Sequence, residues 1–175
     1  MSPIDGNLQS SRVRLQLVGQ VQGMGFRPFV LKLATSLGLV GSVYNTDDGV
    51  VIEVQGDELS LSTFKRKLQA DKPVYARIEI QTETRVKPAN SNGFEIGKSR
   101  KNADSHAVPF VLPDLAMCDL CHKEVLDPQD RRFHYPFIHC TGCGPRYTIM
   151  RDVPYDRSQT TMSPFPMCGD CEQEY

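Results

Sequence analysis

Val13-Arg-Leu-Gln-Leu-Val-Gly-Gln-Val-Gln-Gly-Met-Gly-Phe-Arg27 is the stretch on which the fold turns. In its first half Val13, Leu15 and Leu17 alternate with Arg14 and Gln16, the period of two expected of a half-buried strand. The glycines at 19, 23 and 25 end that alternation, and the pattern beyond them has a helical period. Pro28 suits the first position of a helix, Val30, Leu33, Ala34 and Leu37 fall on one face of it, and Gly38 is placed as its stop. The glycine-rich segment is therefore read as a connection from a strand into a helix.

Downstream, Val40–Asn45 and Val50–Gln55 read as two strands around Thr46-Asp47-Asp48-Gly49, whose Asp-Gly end is a strong hairpin signal. Asp57 is positioned to cap a second helix bearing Leu61, Phe64 and Leu68. Ala76, Ile78 and Ile80 then alternate with Arg77, Glu79 and Gln81 in a fourth strand, and Gly93–Ile96 suggests a short edge strand. The order strand, helix, strand, strand, helix, strand predicts an α+β fold of the ferredoxin-like βαββαβ kind, an antiparallel sheet with both helices on one face. This unit is expected over residues 12–98. A linker is expected over 99–109, and an irregular zinc-finger region over 110–175, where Pro, Cys and His accumulate and periodicity fades.

Composition narrows the function classes. A formal net charge of -1 and a pI near 6.4 create no global basic field, so neither nucleic acid nor a membrane is expected as a partner. Arg131, Arg132 and Arg146 have acidic neighbours and no aromatic-basic platform, and read as solvated surface. No apolar run approaches the roughly 20 residues of a membrane span, and Met1–Ser11 lacks the basic and apolar parts of a signal peptide. A cytoplasmic setting is expected.

The glycine-rich loop carries its own chemistry. Its glycines let successive backbone N–H groups turn toward one point, a nest suited to anions, and the helix start adds partial positive charge. Arg27 contributes a planar guanidinium able to hold two phosphate oxygens. The plain alternative is a tight connection with Arg27 solvated. The predicted topology also lets Asn45, at the end of its strand, approach this loop, so two polar groups can converge. No histidine precedes His106, so composition excludes a histidine base within this unit. Asp47, Asp48 and Glu53 are read as shaping the turn and a sheet face rather than as bases.

These two blocks, Gly19-x-Val21-Gln22-Gly23-x-x-Phe26-Arg27 and Gly41-x-Val43-x-Asn45-x-x-Asp48-Gly49-x-Val51, resemble the acylphosphatases. The resemblance implies that Arg27, with the backbone amides of Gln22, Gly23, Met24, Gly25, Phe26 and Arg27, binds a phosphoryl group. It also implies that Asn45 orients the attacking water. An acyl phosphate is a mixed anhydride whose carboxylate leaves without a strong acid, so positioning and charge stabilisation suffice.

In the last third of the chain three Cys-x-x-Cys pairs, Cys118/Cys121, Cys140/Cys143 and Cys168/Cys171, are separated by 18 and then 24 residues. The first two have the spacing of a four-thiolate structural zinc site. Disulfides are the alternative for six cysteines, and a redox Cys-x-x-Cys a further one; repetition of the motif without a signal peptide favours metal. His122 and His139 abut ligand cysteines, but four thiolates complete a tetrahedron, so surface roles or hydrogen bonds to the ligands are expected of them. The third pair is left without a partner, a half site, as though the natural chain were longer.

An acylphosphatase-like unit followed by this ladder, with Asp130–Ile149 between and after the first two pairs, resembles the start of the HypF-type carbamoyltransferases of nickel–iron hydrogenase maturation. The resemblance covers nearly all of Arg12–Tyr175; one departure is His139, where the family pattern leads one to expect Asn before the cysteine. It implies that the first pair joins the second, while the third awaits a fourth pair beyond this sequence. It further implies that this part hydrolyses carbamoyl phosphate to phosphate and carbamate. Later domains, absent here, would use ATP to pass the carbamoyl group to the C-terminal cysteine of a maturation partner, on the route to a cyanide ligand. Two readings stand beside this one: a free-standing acylphosphatase with a zinc appendage, and a zinc-ribbon binding module with an inactive α/β domain.

Overall fold

The computed structural model describes residues 10–101, 116–138, 140 and 143–174; most of the expected linker, His106 and His139 lie outside them. The first seven elements are β1 (Ser11–Gln20), α1 (Phe26–Ser36), β2 (Val40–Thr46), β3 (Gly49–Gly56), α2 (Glu58–Ala70), β4 (Arg77–Val86) and β5 (Phe94–Ile96). They form one sheet in the order β4-β1-β3-β2-β5, antiparallel apart from the parallel edge pair β2 and β5. The α+β fold and the short edge strand expected from the sequence are both present.

Alternation in the strands and periodicity in the helices meet in a single apolar layer. Val13, Leu15 and Leu17 of β1, Val43 of β2, and Val50, Ile52 and Val54 of β3 are buried with Val30, Leu33 and Ala34 of α1 and Leu61, Phe64 and Leu68 of α2. Asp57 caps α2 as its position predicts, accepting a 2.9 Å hydrogen bond from the Ser60 N–H.

Two boundaries stand out among those that differ from the sequence reading. Helix α1 begins at Phe26, two residues before Pro28, because Gly25 adopts a left-handed conformation (φ 68°) and its carbonyl accepts from the Phe29 N–H. Pro28 thus falls within the first turn, where a missing N–H costs no intrahelical bond. Strand β4 runs on to Val86, past the end of its apolar alternation, because β1 pairs with it as far as Arg12 opposite Val86. Ladder hydrogen bonds extend an exposed edge strand that its side chains do not announce.

The hairpin register, Thr46 opposite Gly49, places Asp47 and Asp48 at the turn and leaves Gly49 inside β3. There Gly49 has φ 145°, and a Cβ would collide with the Leu17 carbonyl of β1. Close strand approach requires the glycine, which brings the end of β2 beside the loop that follows β1.

The C-terminal part is irregular. It contains α3 (Asp119–Leu126), two single 3-10 turns at Tyr147–Ile149 and Arg157–Gln159, and α4 (Gly169–Glu174). Its small core gathers Cys121, Cys143 and Ile138, with Cys118, Cys140 and Val125 packed against them. Among the described residues no helix is long and apolar enough to cross a membrane.

Candidate functional site

Between Gln20 and α1 the chain turns on Gly23 (φ 73°) and Gly25 (φ 68°), both left-handed, a conformation costly for residues with a Cβ. The turn is anchored from beneath by the Gln22 side chain, whose Nε2 donates to the carbonyls of Thr46 (2.7 Å) and Gly49 (2.9 Å). That buried amide ties the loop to the β2–β3 hairpin. Among the described residues no backbone hydrogen bond engages the N–H groups of Gly23, Met24 or Gly25, and the first-turn N–H groups of α1 have no partner within the helix. The arrangement is a set of free donors at a helix start, where the backbone dipole favours negative charge.

A cavity of about 790 Å³ opens beside this turn, lined there by Gln22, Gly23, Gly25, Phe26, Arg27 and Asn45. The structure therefore brings Arg27 and Asn45 to one cavity, as the sequence predicts. Met24 does not line it; its side chain is part of the apolar core. Asn45 is fully buried, and among the described residues neither Oδ1 nor Nδ2 has a hydrogen-bond partner. Buried polar groups are ordinarily paired, so an amide left without a protein partner at the wall of a cavity is available to whatever fills that cavity. The Asn45 backbone is fixed by pairing with Val50 and by the Arg100 N–H, which donates to its carbonyl at 2.9 Å.

The C-terminal part also lines the cavity, through Cys140, Pro154, Tyr155, Asp156 and Arg157. Arg27 Nη2 donates to Asp156 Oδ1 at 2.7 Å, across 129 residues of sequence. The other oxygen, Oδ2, accepts from the Ser99 hydroxyl. The Tyr155 N–H donates to Gln22 Oε1 at 2.8 Å, and a Cβ on Gly23 would lie 2.8 Å from Pro145 and 2.9 Å from Tyr155. Sequence reasoning missed Asp156, Tyr155 and Ser99, because no local pattern relates a position in the irregular part to a loop so far upstream.

Of the three carboxylates near the turn, Glu53 lies on the sheet face between Arg12 (2.6 Å) and Arg14 (2.5 Å). Burial raises its pKa, but hydrogen bonds from Arg14 and Arg12 overcome this and hold it below the usual carboxylate range.

The Sγ atoms of Cys118, Cys121, Cys140 and Cys143 all lie within 4.8 Å of one another. Two of the separations, Cys118 to Cys140 and Cys121 to Cys143, are 3.7 and 3.8 Å. Four sulfurs each about 2.3 Å from a zinc ion stand roughly 3.8 Å apart at the corners of a tetrahedron, so the spacing fits that ion. The Cys121 backbone N–H draws the Cys118 thiol down to about 7 against the opposing effect of burial, whereas burial pushes Cys121 up. Arg146 Nη2 approaches the Cys143 sulfur at 3.4 Å, adding a cation beside the cluster. His122 is exposed. Cys168 and Cys171 are outside the cluster; Arg131 Nη1 lies 3.7 and 3.5 Å from their sulfurs.

Residues 13–96 match the acylphosphatase family, and residues 117–150 match the HypF finger family. The carbamoyltransferase HypF2 of Cupriavidus necator is 44% identical over 164 residues, which cover 93% of this chain and 20% of that protein. An acylphosphatase of Lactobacillus johnsonii is 43% identical over 68 residues, covering 38% of this chain and 75% of that enzyme. The crystal structure of a full-length HypF in its phosphate- and nucleotide-bound form superposes with a TM-score of 0.86 at 40% identity, over 95% of this chain and 22% of that one. The chain spans about a fifth of the length of the curated carbamoyltransferases it matches.

Proposed function

The chain belongs to the acylphosphatase family and, carrying a HypF finger, corresponds to the N-terminal part of the HypF carbamoyltransferases; on that premise we propose that it hydrolyses acyl phosphates, carbamoyl phosphate foremost. The observation that carries the reading is Asn45, a fully buried amide without a partner among the described residues, in the cavity shared with Arg27 and the glycine turn.

In this reading the N–H groups of Gln22, Gly23, Met24, Gly25, Phe26 and Arg27, with the Arg27 guanidinium, hold the phosphoryl oxygens. Asn45 accepts from and orients a water against phosphorus. A bond forms between the water oxygen and phosphorus, the bond to the acyl oxygen breaks, and the carboxylate or carbamate leaves with that electron pair. The proton given up by the water remains on the phosphate product, so a dianionic acyl phosphate and water yield a carboxylate and dihydrogen phosphate. No general acid is needed, because the leaving group is already a weak base.

Cys118, Cys121, Cys140 and Cys143 would hold a structural zinc ion, which cross-links a segment whose apolar core is too small to hold it folded. Cys168 and Cys171 would be half of a second site. Within a whole carbamoyltransferase this part would supply carbamate to ATP-dependent domains that load a partner's C-terminal cysteine. Purified chain should release phosphate from carbamoyl phosphate and acetyl phosphate but not from a phosphate monoester such as p-nitrophenyl phosphate. Failure to hydrolyse either acyl phosphate would favour a binding module with an inactive α/β unit.

A further inference from the structure

Arg27 does not stand alone over the glycine turn: a carboxylate from the far part of the chain fixes it. We infer that Asp156 is a positioning residue of the phosphate site, so that the finger region completes that site by holding the Arg27 guanidinium in place. This rests on the assignment of Arg27 to the phosphoryl group, and adds that its working geometry is set from outside the acylphosphatase unit.

Three observations converge. Asp156 uses both oxygens, Oδ1 for Arg27 at 2.7 Å and Oδ2 for the Ser99 hydroxyl, so the carboxylate is itself held and is not a swinging charge. Among the described residues it engages Arg27 through Nη2 alone, leaving the rest of a five-donor fork for a phosphoryl group. The residue before it is pinned to the same turn, Tyr155 N–H on Gln22 Oε1 at 2.8 Å, and its ring packs against Gly23. A free arginine side chain samples many rotamers, and ordering it on binding opposes affinity. Clamping one edge of the guanidinium beforehand removes that cost while the other donors stay available.

The alternative is that Asp156 competes with the phosphoryl group for Arg27 as a built-in plug. The two roles have opposite signs. In the whole chain, Asp156→Ala should raise KM for acetyl phosphate and the inhibition constant of inorganic phosphate by about 10- to 100-fold, the range for a hydrogen bond to a charged group, with a smaller effect on kcat. Asp156→Asn, which keeps the acceptor without the charge, should fall between Asp156→Ala and wild type. Asp152→Asn removes the negative charge from the exposed 2.9 Å pair with Lys101 on the same segment and should leave both constants unchanged, separating arginine positioning from loose docking. Tighter phosphate binding or faster turnover in Asp156→Ala would overturn the inference, as would values equal to wild type or a matching loss in Asp152→Asn. Wild type that hydrolyses acyl phosphate, with Arg27→Ala inactive and Asp156→Ala unaffected, refutes positioning and leaves the proposed function intact. Wild type that neither hydrolyses acyl phosphate nor binds phosphate refutes both.

Discussion

Arg27 and Asn45 share a cavity but are assigned different work, and single substitutions should separate them. In the proposed reaction, removing the Arg27 guanidinium takes away charge that would bind the phosphoryl group in both ground and transition states. Asn45 touches only the water in the proposed reaction. Asn45→Ala should therefore leave the inhibition constant of inorganic phosphate close to wild type while lowering kcat by about 10²- to 10³-fold, the scale for losing one preorganised hydrogen-bonding group. Steady-state kinetics with phosphate as inhibitor reads both; undiminished kcat would remove Asn45 from the reaction. The sequence exposed both residues because each lies one residue inside the end of an element that its periodicity defines. Asp156 has no such signature. It lies one residue before a single 3-10 turn in an irregular segment, and its importance comes entirely from a contact across 129 residues.

At the scale of elements, the site depends on how closely β1, β3 and the hairpin approach. Gly49 lies in β3 with φ 145° and no room for a Cβ against the Leu17 carbonyl. Gly49→Ala should destabilise the chain by about 3 kcal/mol or more, read from the urea midpoint, because backbone strain and collision act together. An unchanged midpoint would mean that the strands can separate without loss. Across the outer sheet face, Glu53 links β3 to Arg12 and Arg14 of β1. With its carboxyl held below the usual range, Glu53 stabilises the fold fully above its unfolded pKa of about 4.3, and that contribution is lost as pH falls through the lower folded value. Glu53→Gln should therefore be less stable than wild type at pH 7, with the gap closing in acid. A gap that stays constant down to pH 3 would contradict the ion pairs. The elements up to β5 were legible from alternation and helical period, whereas α3 and α4 of the irregular part were not, nor were two boundaries in the sheet unit. Helix α1 starts early because a left-handed glycine caps it, and β4 runs late because its partner's backbone extends it.

On the scale of the whole molecule, the acylphosphatase unit and the finger region meet at the phosphate turn rather than following one another as independent modules. The cysteine spacing pointed to the cluster of four sulfurs that the fold brings together, since a four-thiolate site imposes short local pairs. Nothing in that spacing revealed that residues 154–157 line the same cavity as Arg27 and Asn45. We expect about one tightly held zinc ion per chain by atomic absorption, none in Cys118→Ser with Cys140→Ser, and an unchanged count in Cys168→Ser with Cys171→Ser. Two ions in this chain would contradict the pairing of the first two Cys-x-x-Cys turns. The central claim, that this chain cleaves acyl phosphates at the Arg27 and Asn45 cavity, is tested most directly by phosphate release from carbamoyl phosphate by wild type and Arg27→Ala side by side. Saturable release by wild type and a loss of about 100-fold or more in kcat/KM in the folded variant is the predicted result; equal rates from the two proteins would contradict it.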